Sequence, residues 1–178
     1  MRFDKVKSLH KEELLAMQDY THIVHPFEPI FNADSEVLAL GSLPSVKSRE
    51  NDFYYGHPQN RFWRVLAIVF GAAVPNSIPE KKNFLLTHHL ALWDVIYSCD
   101  IVGSSDSSIK NAVPNNIENI LAAAKIKTII ANGNTAFSLY KRFWGDKIHI
   151  KTIKMPSTSP ANATWTLEKL AEEWRKAF

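Results

Sequence analysis

Four short stretches concentrate the groups able to do chemistry. They are Gly41-Ser-Leu-Pro-Ser45, Tyr55-Gly-His-Pro-Gln-Asn-Arg-Phe-Trp63, Asn132-Gly-Asn134 and Met155-Pro-Ser-Thr-Ser-Pro160. Their polar residues are mostly amides and hydroxyls, which hold a ligand by neutral hydrogen bonds and do not titrate usefully as general bases. Gly41-Ser-Leu-Pro-Ser45 is not a phosphate loop, because the Walker lysine pattern is absent. Metal chemistry is not expected. His22 and His25 have ligand-like spacing, but Pro26 disfavours a helix there and no third ligand is evident. His88 and His89 are adjacent, so their side chains diverge, and the single Cys99 excludes a cysteine-rich zinc site and an intramolecular disulfide.

These stretches need elements to position them. Glu36-Val-Leu-Ala-Leu-Gly41 and Lys127-Thr-Ile-Ile-Ala-Asn-Gly133 are nearly continuous apolar runs ending in Gly, the pattern of strands buried on both faces. Ile148 to Lys154 alternates, as a strand nearer an edge does. Helical periods cover Arg61 to Phe70, Asn116 to Lys125, Thr135 to Phe143 and Thr164 to Ala177, the last with Trp165 and Trp174 facing the core. Asn60 is placed to cap the first of these helices and Asn134-Thr135 to open the third. Alternating strands and helices predict an α/β fold with a largely parallel sheet. Ligands in such folds sit beyond the carboxyl ends of the strands, where three of the polar loops converge.

Length and composition are compatible with one domain spanning residues 1–178. No apolar run is long enough for a membrane span, and the N-terminal residues lack the apolar core of a signal peptide, so a cytoplasmic location is expected. The net charge of +3 is permissive for nucleic acid but weak. Pairs such as Lys47 with Arg49, Arg61 with Arg64 and Lys141 with Arg142 flank turns, where a phosphate backbone could be reached.

The loops in their order resemble the uracil-DNA glycosylase superfamily. The HP-x-N-x-FW element is similar to the mismatch-specific uracil branch. GSLPS, YYGHPQNRFW, LWDVI with SSDSSI, and MPSTSPANA together most resemble the hypoxanthine-DNA (deoxyinosine) glycosylase branch. The resemblance runs from His25 to Ala163. It implies a three-layer α/β/α sandwich around a four-stranded, mostly parallel sheet, and hydrolysis of an N-glycosidic bond by a monomer with no metal or other cofactor. The implied partner is DNA carrying deaminated bases. Two positions depart from the better-known branches. Leu43 stands where Asp or Asn positions the attacking water, and Met155 where the most active uracil branch has His.

Within that resemblance, Asn60 is the expected catalytic residue, either donating to the departing base or holding a water at the anomeric carbon. Its bland alternative is a helix cap. Gly41, Ser42, Leu43, Pro44, Tyr55 and Asn132 are expected around the base, with Tyr55 as stacking platform and the amides of the Ser42 to Ser45 turn donating to a base carbonyl. Ser45, Lys47, Ser48, His57, Arg61, Ser157, Thr158 and Ser159 are expected on DNA, His57 having an equal structural reading in its turn. Met155 or the Ala161-Asn162 pair is the candidate for filling the vacated stack. Trp93 and Tyr97 are at helical spacing and expected in the core, with Asp94 holding a backbone amide or a loop. Asp94 and Asp106 are acids near these motifs, which leaves a water-positioning carboxylate as an alternative.

Overall fold

The computed structural model describes residues 20–178. Residues 1–13, on which the signal-peptide expectation rests, lie outside the described residues. Strands β1 (Thr21–Val24) and β2 (Val37–Gly41) are followed by helices α1 (Val46–Glu50), α2 (Phe62–Phe70) and α3 (Ile78–Thr87). Then come β3 (Leu90–Asp94), β4 (Ile96–Ile101), a 3-10 turn (Asp106–Ser108), β5 (Lys110–Pro114) and α4 (Glu118–Ala123). The chain finishes with β6 (Thr128–Asn132), α5 (Asn134–Trp144), β7 (Lys151–Met155) and α6 (Leu167–Arg175).

The central sheet has four strands, all parallel, in the order β3-β2-β6-β7. Alternation along β2 explains its unbroken apolar run. Ala39 faces a core built with Phe62, Leu66, Leu85, Leu170 and Trp174, while Leu38 and Leu40 face another built with Ile120, Tyr140 and Trp144. Helices α2, α3 and α6 thus pack on one face and α4 and α5 on the other. Leu38 and Leu40 are fully enclosed, each burial contributing about 1.5–3 kcal/mol, which fixes the register of the strand that delivers Gly41. As its alternation predicts, β7 is an edge strand.

A second, antiparallel sheet in the order β1-β4-β5 was not expected from the sequence. Only Val95 separates β3 from β4, and the chain crosses from one sheet to the other there. Asn115 is buried at the crossing and donates to the carbonyls of Asp94 and Ile96, at 2.9 and 3.0 Å. Trp93 and Tyr97 therefore lie on strands, which corrects the helical reading. Tyr97 is also not core, being 49% exposed. Leu90, Ala91 and Leu92 are all buried, a short continuous apolar run that periodicity alone does not distinguish from a helix.

Helix α6 was read correctly as amphipathic. Thr166 caps it by accepting from the Lys169 N–H, and Trp174 lies edge-on to Phe62 of α2 at 5.9 Å between centroids. The Trp174 indole N–H also reaches the Pro156 carbonyl, at 3.0 Å, tying the helix to the loop after β7. Among the described residues no helix is long and apolar enough to cross a membrane.

Candidate active site

The carboxyl ends of β2, β3, β6 and β7 open into one cleft of about 770 Å³. Gly41 to Ser48, Tyr55, His57, Asn60, Asp94, Asn132 to Thr135 and Ser157 to Asn162 line it, together with the Ser104 to Ser107 loop. The three convergent loops are there, and the end of β3 joins them.

Asn60 is the best-defined group in the cleft. Its Oδ1 accepts from the Phe62 N–H at 3.0 Å and from the Thr158 hydroxyl, also at 3.0 Å. A backbone N–H can only donate, so the side-chain oxygen must face it and the orientation of the amide is determined. Both lone pairs of Oδ1 are taken, and the NH2 has no partner among the described residues. The oxygen serves the first turn of α2, as the cap reading expects, and the amino group is left without a protein partner on the cleft side of the helix start.

Thr158 holds this arrangement from beneath. It is fully buried; its hydroxyl accepts from Asn132 Nδ2 at 2.9 Å, and its N–H donates to Asn132 Oδ1 at 3.0 Å. Asn132 Nδ2 also donates to the Tyr55 hydroxyl, at 3.1 Å. One chain of hydrogen bonds thus runs from Tyr55 through Asn132 and Thr158 to Asn60. Gly133 makes the close approach of the two loops possible. Its φ is +97°, and a Cβ there would stand 3.0 Å from Ser157 Cβ.

Tyr55 sits at φ +53°, in the left-handed region that a tyrosine enters only under constraint. Its ring stacks on Phe62 at 3.9 Å and 20°, so one face is covered while the residue, half-buried, lines the cleft. Burial, with the nearby Asp94 charge adding to it, pushes the phenol well above its ordinary pKa and keeps it protonated.

Two carboxylates border the cleft. Asp94 is buried, with Oδ2 2.8 Å from His25 Nε2. It holds the loop after β1, one of the two roles expected from sequence, and does so through the His25 side chain. Asp106 lies at the mouth and accepts from the Ser42 hydroxyl at 3.2 and 3.3 Å. Desolvation raises its pKa, the Thr135 and Ser42 hydroxyls lower it, and Asp94 raises it further. The His25 link was not foreseen; the apolar run ending in Asp94 matches the pattern that marked β2 and was the available signal.

Several expected DNA contacts are used otherwise. Thr158 is enclosed and committed to Asn60 and Asn132. Ser48 is 3% exposed; its hydroxyl accepts from the Gly56 N–H and pairs with Ser45, whose own oxygen caps α1. The Arg61 guanidinium donates to the carbonyls of Thr158, Ser159, Asn162 and Trp165. That clamp shapes the loop after β7, and burial lowers its pKa. Met155 is 4% exposed and packed in the core, so it cannot fill a vacated stack, whereas Ala161 and Asn162 do line the cleft. Lys47 lines the cleft but pairs with Glu50 at 2.6 Å, and Arg49 bonds the Pro44 carbonyl. Leu43 and the buried Pro44 supply apolar wall. Ser157, Ser159 and His57 lie on the rim. The His57 ring accepts from the Gln59 N–H, its structural role.

A four-stranded parallel sheet whose strand ends bring neutral amide groups and a half-buried tyrosine ring to one cleft is the arrangement in which open α/β enzymes bind their ligands. A sequence model of the uracil DNA glycosylase superfamily matches residues 28–178, and the chain belongs to that family. It is 32% identical over 154 residues to a hypoxanthine DNA glycosylase of Methanosarcina acetivorans, covering 85% of this chain and 96% of the relative. A protein of the same name from Methanosarcina barkeri is 30% identical over 156 residues, with the same coverage. A solution NMR structure of a candidate uracil DNA glycosylase from Methanosarcina acetivorans superposes with a TM-score of 0.73 at 29% identity, over 88% of this chain and 96% of that one.

Proposed function

We propose that this chain is a monofunctional DNA N-glycosylase that removes deaminated bases, hypoxanthine first among them. The observation that carries the reading is the fixed polarity of Asn60: its oxygen is spent and its amino group faces a cleft able to hold a base. Similarity to relatives named for hypoxanthine supports the choice of base.

Breaking the glycosidic bond leaves positive charge on the sugar and negative charge on the departing base. A fixed N–H donor aimed at that base stabilises it as the bond lengthens, by the logic of an oxyanion hole. Water adds its oxygen to the anomeric carbon and releases a proton; the base leaves with the bonding electrons and is protonated. With Oδ1 occupied, Asn60 does not hold this water by accepting from it. Tyr55 offers the base a ring held by Phe62, and stacking of this kind contributes about 1–3 kcal/mol. Extrusion from the duplex costs a few kcal/mol, least for mispaired bases. The same reading takes the protein to act as one domain and as a monomer, without metal or other cofactor, in the cytoplasm. Ser45, Lys47, His57, Ser157 and Ser159 remain its candidates for the DNA backbone.

The test is incubation with end-labelled duplexes carrying a single inosine, uracil or xanthine, followed by hot alkali. Strand breaks at inosine are expected. Breaks only at uracil opposite guanine would make it a mismatch-specific uracil glycosylase, and tight retention without breaks would make it a lesion-binding module.

A further inference from the structure

Deamination changes something a pocket can read at close range. The ring nitrogen N1 of adenine carries a lone pair, while N1 of hypoxanthine carries a proton; N3 of cytosine and uracil differ in the same way. A site that accepts a hydrogen bond at this point therefore separates the damaged base from its parent.

The inner wall of the cleft holds such an acceptor. Asp94 has a side chain only 5% exposed, and its Oδ2 is engaged by His25, itself 1% exposed. The Phe27 N–H and carbonyl both lie near His25 Nδ1, at 3.2 and 3.0 Å. Either the neutral ring accepts the N–H or the imidazolium donates to the carbonyl, and in both forms Nε2 donates to Asp94. Asp94 Oδ1, by contrast, has no hydrogen-bond partner among the described residues. Nor is it sealed: among them the Tyr140 hydroxyl is the one fully enclosed side-chain polar atom without a partner. Oδ1 therefore faces the cleft that Asp94 lines.

Gly41 leaves the room for it. A Cβ at that position would stand 2.1 Å from Oδ1 and 3.0 Å from the Tyr55 hydroxyl, so the free oxygen lies beside the stacking ring. An ionised carboxylate accepts and never donates.

We propose that Asp94 is a specificity-determining residue whose Oδ1 accepts the ring N–H that deamination creates, N1–H of hypoxanthine. Adenine would set its N1 lone pair against the carboxylate oxygen and leave both unpaired, the kind of mismatch by which a site built to hydrogen-bond its substrate rejects an analogue. The inference rests on the glycosylase reading and adds a claim about which group chooses the base.

The test compares single-turnover cleavage of duplexes carrying deoxyinosine or 6-methoxypurine deoxyriboside, which keeps an oxygen at the sixth position but has a lone pair on N1. In Asp94→Asn the amide oxygen stays on His25 Nε2–H, and the NH2 turns toward the base. Inosine cleavage should fall roughly 10- to 100-fold and 6-methoxypurine cleavage should rise, so the ratio of the two drops at least about tenfold. An unchanged ratio in a folded variant overturns the proposal. Should the variant not fold, the wild type decides. A preference for inosine of at least about tenfold supports the proposal, and cleavage of both within about threefold overturns it. A wild type that cuts neither duplex refutes the glycosylase reading and this inference with it, whereas inosine cleavage with an unchanged ratio refutes the inference alone.

Discussion

Replacing Asn60 by Asp separates the two roles open to this side chain. The substitution is isosteric, and its first oxygen can keep both donors, the Phe62 N–H and the Thr158 hydroxyl. Only the second atom changes, from an NH2 that donates to an oxygen that accepts and carries charge. If Asn60 stabilises the departing base, the variant loses that donor and sets negative charge against negative charge. Loss of one such donor costs about 10²- to 10³-fold in rate, or roughly 2.7–4 kcal/mol. If Asn60 instead held the attacking water by accepting from it, a carboxylate would do so better and the rate would hold or rise. The assay is single-turnover cleavage of an inosine duplex at saturating enzyme, so that weaker DNA binding does not enter. A variant within about threefold of wild type refutes the donor assignment.

Further outcomes follow from the same network. Thr158→Val removes two buried hydrogen bonds, each worth about 0.5–1.5 kcal/mol; chemical denaturation should show a loss of about 1–3 kcal/mol, and cleavage should slow because Asn60 is held by Phe62 alone. Thr158→Ser should restore both, and failure to do so would make the methyl group the important part. For Asp106 the pKa is raised on folding, so ionisation opposes the folded state: its contribution is most favourable below the unfolded pKa and is lost as pH rises through the folded one. Asp106→Asn should therefore melt higher than wild type at neutral pH, the advantage vanishing as acid protonates the wild-type carboxyl. Thermal melts across that range check this, and an advantage that persists in acid would count against it.

The sequence by itself determined most of the scaffold. Continuous apolar runs at Val37 to Leu40 and Thr128 to Ala131 can be satisfied only by burial on both faces, and amphipathic spacing in α6 requires a core beneath Leu170 and Trp174. Such patterns are local, so they survive without knowledge of what lies opposite. The polar loops were legible for the same reason, since strand ends in a parallel sheet must converge. Tertiary structure alone decided what each polar group does. Whether Thr158 meets a phosphate or Asn60, whether Arg61 meets DNA or four carbonyls, and whether Asp94 faces a histidine depend on partners 26 to 104 residues away. Hydrogen bonds are short-ranged and directional, and their donors and acceptors meet only once the sheet has brought its strand ends together.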